Sequence, residues 1–214
     1  MSQGELDRQL REAANEGALA RLQELLIAGA DPRADPRAVN NFGWTPLHLA
    51  CWDGHANCIT PLLAADADPR AADSGGWTPL HFACRNGHDG CIAPLLTAGA
   101  DPRAADIGGR TPLRLACVHG HDNCIAPLLA AGADPRAADN FGGTPLHYVC
   151  LHGHAPCIAL LLSAGADMSA KDNSGRTPRA MAEARHDERG ASCIKALDAR
   201  QRRRVGSKTK PARP

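Results

Sequence analysis

The sequence predicts an all-α solenoid, a stack of helix-turn-helix units linked by β-turn or hairpin fingers. A Thr-Pro pair recurs every 33 residues, and in the first four copies a cysteine follows six residues after the threonine. Self-similarity at this period indicates short units that bury their apolar faces only against their neighbours. The repeated threonines are Thr45, Thr78, Thr111, Thr144 and Thr177.

The composition favours helices and argues against several other classes of protein. The 214 residues are 43% hydrophobic but only 3% aromatic, so a core of Ala, Leu and Cys favours thin, closely spaced helices. The formal net charge of +1 provides no bulk field that would attract nucleic acid. No stretch approaches the roughly 18 apolar residues of a membrane span, so we expect no membrane association.

The cysteine content and the N-terminal sequence indicate the cellular compartment of the protein. Nine cysteines are an odd number, and the chain is longer than the small disulfide scaffolds of secreted proteins, which favours a reducing compartment. The first ten residues lack the pattern of a secretory signal. We therefore expect an intracellular, monomeric protein, either cytoplasmic or nuclear.

The second full unit shows how each helix is predicted. Thr78 is expected to cap the first helix, with Pro79 at the first helical position, where its missing N–H costs nothing. Gly87 ends this helix. The second helix runs from about Asp89 to Ala98 and stops before Gly99, which can adopt the left-handed conformation.

Prolines interrupt the second helix of three units. They lie beyond the first turn, where a proline removes a hydrogen bond and crowds the preceding turn. We expect a late helix start or a kink at Pro61, Pro94 and Pro127.

These motifs resemble the ankyrin repeat, in which Thr-Pro-Leu-His begins the first helix, Gly-His lies between the helices and Gly-Ala-Asp follows the second. The first finger is expected to be longer, because a duplicated Asp-Pro-Arg-Ala stretches the interval there to 37 residues. The predicted organisation is an N-terminal capping unit plus long finger (1–39), four full repeats (40–72, 73–105, 106–138 and 139–171), a degenerate closing repeat (172–199) and a basic disordered tail (200–214).

Histidine and cysteine recur at a spacing that is also typical of metal sites. His48, Cys51, His55 and Cys58 form the first such set. However, each falls at a fixed phase of the unit, where the resemblance implies that histidine braces a turn and cysteine packs in the core. A free cysteine behaves as a small buried hydrophobe. We therefore expect structural packing and no metal site.

The sequence contains no glycine-rich phosphate loop and no Ser, His and carboxylate set outside the repeat pattern. His119, His152 and His186 lie off the structural histidine positions, and no nucleophile accompanies them. The resemblance implies a non-catalytic module without cofactors, which binds a protein through a concave surface of fingers and first helices.

The internal copies locate the variable surface. The second and third units differ at only eight positions, six of which lie in the finger or the first helix. Most of the aromatic residues occupy such positions, and large aromatic side chains are typical anchors of protein interfaces. We expect the partner-binding residues to be Phe42, Trp44, Trp52, Trp77 and Phe141, with Asp53, Arg85, Asn86, Arg110, His119 and Arg176 as their polar surround.

Two alternatives stay open at this stage. The indole rings of the tryptophans either project as anchors or lie flat on neighbouring backbone. The basic tail is either a solvated charge run or a nuclear-import or phosphate-contacting segment, in which case the protein is a nuclear or nucleic-acid-associated regulator. The residues concerned are Arg202, Arg203, Arg204, Lys208 and Lys210.

One position breaks the helix-end pattern and yields a stability prediction. Asp66 stands where the other units have glycine, and aspartate tolerates the left-handed region less well. We expect Asp66→Gly to raise the free energy of unfolding by about 1 kcal/mol. Urea melts measure the difference, and an unchanged midpoint and slope would count against the assigned register.

Overall fold

In a computed structural model, residues 2–27 and 35–208 are described, apart from the side chains of 200 and 203–208. The described part contains helices and turns but no strand. The helices are α1 (Gln3–Glu16), α2 (Leu19–Leu26), α3 (Pro46–Asp53), α4 (Ala56–Ala64), α5 (Pro79–Asn86), α6 (Asp89–Thr97), α7 (Pro112–His119), α8 (Asp122–Ala130), α9 (Pro145–His152), α10 (Ala155–Ser163), α11 (Pro178–Glu183) and α12 (Glu188–Lys208).

The helices form two parallel rows. The odd-numbered helices from α1 to α11 pack on one another in order, and the even-numbered helices from α2 to α12 form the second row. Leucine, isoleucine, alanine and cysteine side chains fill the single continuous core between the rows. The predicted all-α solenoid of helix-turn-helix units is therefore confirmed.

Local signals place the helix ends as predicted. The Thr45 hydroxyl accepts from the N–H of His48 at the start of α3, where Pro46 is the first helical residue. Gly54 follows α3 with φ of 82°, and a Cβ there would lie 2.5 Å from the His88 ring of the next unit. Glycine at this position thus permits both the turn and the close approach of the next unit.

The prolines in the second helices do not delay the helix start. Helices α4, α6 and α8 begin at Ala56, Asp89 and Asp122, so each proline lies inside its helix, and the expectation of a late start is wrong. Packing of these short helices on both neighbours outweighs the lost hydrogen bond.

Histidine side chains connect consecutive units at two phases of the repeat. In His48, Nδ1 accepts from the Thr45 N–H at 3.1 Å, and Nε2 lies 3.1 Å from the carbonyl oxygen of Trp77, in the next finger. At the second phase, His88 Nε2 lies 3.0 Å from the carbonyl oxygen of Trp52, in the preceding unit. Each imidazole therefore satisfies a backbone carbonyl of its neighbour.

Arginine provides a third connection. In the Asp-Pro-Arg turn after α4, the Nε of Arg70 donates to the Gly99 carbonyl at 2.6 Å. Arg103 and Arg136 repeat this bond to Gly132 and Gly165. The same turn motif therefore caps the second-helix end of every following full unit.

The ends of the stack differ from the full units. The first copy of the duplicated Asp-Pro-Arg-Ala, residues 31–34, lies outside the described residues, whereas the second copy, residues 35–38, lies within them. At the other end, α12 continues to Lys208, so the backbone of residues 200–208 is helical where the sequence predicts disorder. Gln201 and its arginine neighbours are good helix formers, which favours continuation of the helix. Residues 209–214 lie outside the described part.

The unusual residue at the end of α4 adopts the expected conformation. Asp66 has φ of 68°, in the left-handed region that glycine occupies in the neighbouring units, where Gly99 has φ of 91°. The conformation on which the Asp66→Gly prediction depends is present.

The buried histidines make the stability of the fold depend on pH. Burial lowers the pKa of His48 to about 4 from an ordinary value of 6.5. Because the unfolded chain binds this proton more readily, stability is complete above pH 6.5 and falls as the pH drops towards 4. We expect a loss of about 3 kcal/mol from this residue.

Chemical unfolding at a series of pH values checks this expectation. His48→Gln removes the titrating group, so its stability should fall less steeply than that of the wild type across the same window. Equal slopes for the two proteins would contradict the assignment to His48.

Candidate protein-binding surface

Five aromatic rings form one cluster across the first two full units. Phe82, only 2% exposed, lies at its centre, with ring centroids 4.9 Å from Trp44, 5.4 Å from Trp52 and 5.2 Å from Trp77. Phe42 extends the cluster outward, 5.9 Å from Trp44 and 67% exposed. We call these five residues the aromatic cluster.

The three indole rings are half-buried, an arrangement between the two alternatives that the sequence left open. All three pack partly on the hydrophobic core, so they are neither free anchors nor sealed inside. Together with Asp73 and Arg85, the aromatic cluster lines an open cavity of about 330 Å³. The indole N–H of Trp44 donates to the Asp73 carboxylate at 3.0 Å, which fixes the ring orientation.

Two guanidinium groups lie against the cluster. The Arg85 guanidinium is 5.3 Å from the centroid of Trp52 and 5.5 Å from that of Trp77, within the range of cation–π attraction. Arg110 lies 5.3 Å from the same Trp77 ring, and its Nε donates to Asp106 at 2.6 Å. The charge of Arg110 is thus paired with Asp106, whereas within the described residues Arg85 has no ion-pair partner.

A second polar group lies in the third and fourth units. Arg114 stands where other units have the turn-bracing histidine, and its Nε donates to Asp139 at 2.8 Å. Its guanidinium lies 3.9 Å from the Tyr148 ring, whose hydroxyl also donates to Asp139. The Asp139 side chain is fully buried, so this ion pair replaces a histidine brace.

Two pairs of stacked histidines lie in the third and fourth full units. His119 stacks on His121 at 6.0 Å, and His152 on His154 at 6.2 Å. Burial and then the charge of the stacked histidine lower the pKa of both His119 and His152, with Arg85 a further cause at His119. Protonation on this face is therefore opposed by positive charge that is already present.

The remaining predicted residues lie apart from the aromatic cluster or serve the fold. Asp53 is exposed at the end of α3, and the Asn86 amide donates to the Trp52 carbonyl at 2.7 Å. Phe141 is 73% exposed on a finger of its own, and Arg176 pairs with Asp172.

In the tail, Arg202 is exposed on α12. Arg203, Arg204 and Lys208 belong to the helical backbone, and Lys210 lies outside the described residues.

Sequence reasoning missed part of this surface. The expected partner-binding residues did not include Phe82, Asp73 or the group around Arg114. The replacement of leucine by phenylalanine beside three tryptophans was the available signal for Phe82. The exposed finger-tip Ile107 was also missed, at 77% exposure.

The described residues contain no metal-ligand group and no membrane-spanning helix. No group of three or more His, Cys, Asp or Glu side chains within residues 2–27 and 35–208 is placed to hold a metal ion. All nine cysteines are free and buried, and burial raises the pKa of Cys51, Cys84 and Cys117 well above the ordinary value. In that same part of the chain, no helix is long and apolar enough to cross a membrane.

Fold and surface together define a helical repeat protein whose second and third units differ mainly in the finger and the first helix. The model for ankyrin repeats in three copies matches residues 10–106 and 113–197, and the chain belongs to the ankyrin repeat family. This family is typically non-catalytic, and its repeats point to a protein–protein interaction module.

The curated proteins that are similar to this chain match it over a small segment. Oxysterol-binding protein-related protein 1 is 39% identical in Mus musculus, 41% in Rattus norvegicus and 38% in Homo sapiens, each over 69 residues. That segment is 29% of this chain and 7% of the relative. The chain thus spans a small fraction of the relatives that it matches.

The ion pair at Arg114 yields a stability prediction. Arg114→Leu leaves the buried Asp139 carboxylate without its cation, so we expect a loss of about 2–3 kcal/mol in the free energy of unfolding. Arg176→Leu is the matched control, because Arg176 is 56% exposed and its loss should cost about 1 kcal/mol or less. Denaturant melts compare the two, and equal losses would contradict the assignment.

Proposed function

We propose that the chain is a non-catalytic module that binds a protein partner through the surface formed by its fingers and first helices, with the aromatic cluster as the anchor. The observation that carries this proposal is the half-open cavity whose walls are large aromatic rings. Apolar patches of this kind are rarely kept on soluble proteins without a partner.

The packing of the cluster supports an anchoring role. Phe82 is buried, and it holds the Trp44, Trp52 and Trp77 rings at centroid distances of about 5 Å. Rings that are fixed before binding lose little conformational entropy when a partner covers them. The outer edge, formed by Phe42, supplies exposed apolar area for contact.

The histidine and arginine connections between units support the same interpretation. They hold the fingers of neighbouring units in register, so a partner would meet a rigid surface. A non-catalytic role also agrees with the histidines, since those of the turn motifs are occupied by backbone carbonyls.

Affinity capture from the native cell tests the proposal. Trp44→Ala/Trp77→Ala should lose the captured partner, because truncation of two anchors costs on the order of 2 kcal/mol each. Ile27→Ala is the matched control, since Ile27 is 57% exposed after α2, in the other helix row and away from the fingers and first helices. Thermal unfolding must first establish that the double variant is folded.

Two outcomes would contradict the proposal. Equal capture by the wild type and a folded double variant would exclude the aromatic cluster as the anchor. Binding that falls steeply with salt and disappears on deletion of residues 200–214 would favour the basic tail and a nucleic-acid partner.

A further inference from the structure

A guanidinium group lies at the edge of the aromatic cavity. In the described part of the chain, the Arg85 guanidinium forms no ion pair and no hydrogen bond, and it is held only over the Trp52 and Trp77 rings. Its N–H groups are strong donors that favour planar, two-oxygen acceptors such as carboxylates. The cavity edge therefore offers an open site for an anion.

The carboxylates beside the cavity are already occupied. In Asp73, Oδ1 accepts from the N–H groups of Gly75 and Trp77 at 2.8 Å, and Oδ2 accepts from Trp44. Asp106 likewise accepts from the backbone and the side chain of Arg110. These acids serve the finger turns, so they provide little for a cationic ligand.

A second guanidinium lies at the same ring but is already paired. Arg110 approaches the Trp77 ring to 5.3 Å, so that ring has guanidinium groups of both Arg85 and Arg110 nearby. Because Arg110 forms an ion pair with Asp106 at 2.6 Å, Arg85 is the group that is open to a negative group from outside.

We propose that the partner segment is an acidic peptide, which places an apolar side chain in the aromatic cavity and a carboxylate on Arg85. This inference rests on the proposed function and specifies its partner class. The apolar walls select an apolar side chain, and the open guanidinium selects a neighbouring aspartate or glutamate of that segment.

The repeats themselves provide matched variants. Position 85 is valine in the third unit, at Val118, so Arg85→Val removes the charge with a residue that the fold accepts at this phase. Trp77→Ala/Phe82→Leu removes two aromatic walls without adding a charge, and leucine is the third-unit residue at the phase of Phe82. Arg21→Val removes a charge from α2, in the other helix row.

Selection from a display library of random short peptides tests the inference. Peptides are selected on the wild-type protein and counter-selected on Trp77→Ala/Phe82→Leu. We expect the retained peptides to combine acidic residues with an apolar residue. Synthetic representatives should bind Arg85→Val about tenfold more weakly, because a charge-assisted contact is lost, and Arg21→Val unchanged.

The outcomes distinguish failure of this inference from failure of the proposed function. Retained peptides that are basic, or that bind Arg85→Val as tightly as the wild type, would overturn the acidic partner and leave the aromatic anchor intact. A selection in which no peptide separates the wild type from Trp77→Ala/Phe82→Leu would overturn both proposals. Binding of a single-stranded oligothymidine probe that depends on Arg85 would assign the site to nucleic acid and overturn the inference.

Discussion

The structure depends on side chains that satisfy the backbone carbonyls of a neighbouring unit. A two-helix unit is too thin to bury its own apolar faces, and its turns expose carbonyl groups. His48 reaches forward to the next finger, His88 reaches back to the preceding helix end, and Arg70 reaches forward to the next second-helix end. These connections fix both the spacing and the rotation of neighbouring units, so the continuous core follows from them.

The same connections position the aromatic cluster. Trp44 belongs to the first full unit, whereas Trp77 and Phe82 belong to the second, and the rings meet only because the units are held in register. The carbonyl that His48 satisfies is that of Trp77 itself. One interaction thus stabilises the stack and sets the backbone of a cavity wall.

Much of the fold could be predicted from the sequence, because its signals are local. Thr78, Gly87 and Gly99 mark helix ends through caps and backbone conformation, and the 33-residue period repeats them. The candidate surface was only partly predictable. The shared phase of Trp44 and Trp77 indicated proximity, but the place of Arg85 over two rings depends on side-chain rotamers that periodicity does not specify. The continuation of α12 was missed because composition was weighed above helix propensity.

Stability and variation occupy different phases of the repeat. Every core cysteine and leucine of the second unit is retained in the third, whereas Trp77, Phe82 and Arg85 are replaced by Arg110, Leu115 and Val118. These replacements leave the helix bounds at the same phase, from Pro79 in one unit and Pro112 in the next. Where the turn-bracing histidine itself was lost, at Arg114, a buried ion pair with Asp139 took its place. The stacking of these units therefore requires a polar connection at the position of the bracing histidine. The outward-facing positions carry no such requirement, so they change from aromatic to basic between the second and third units.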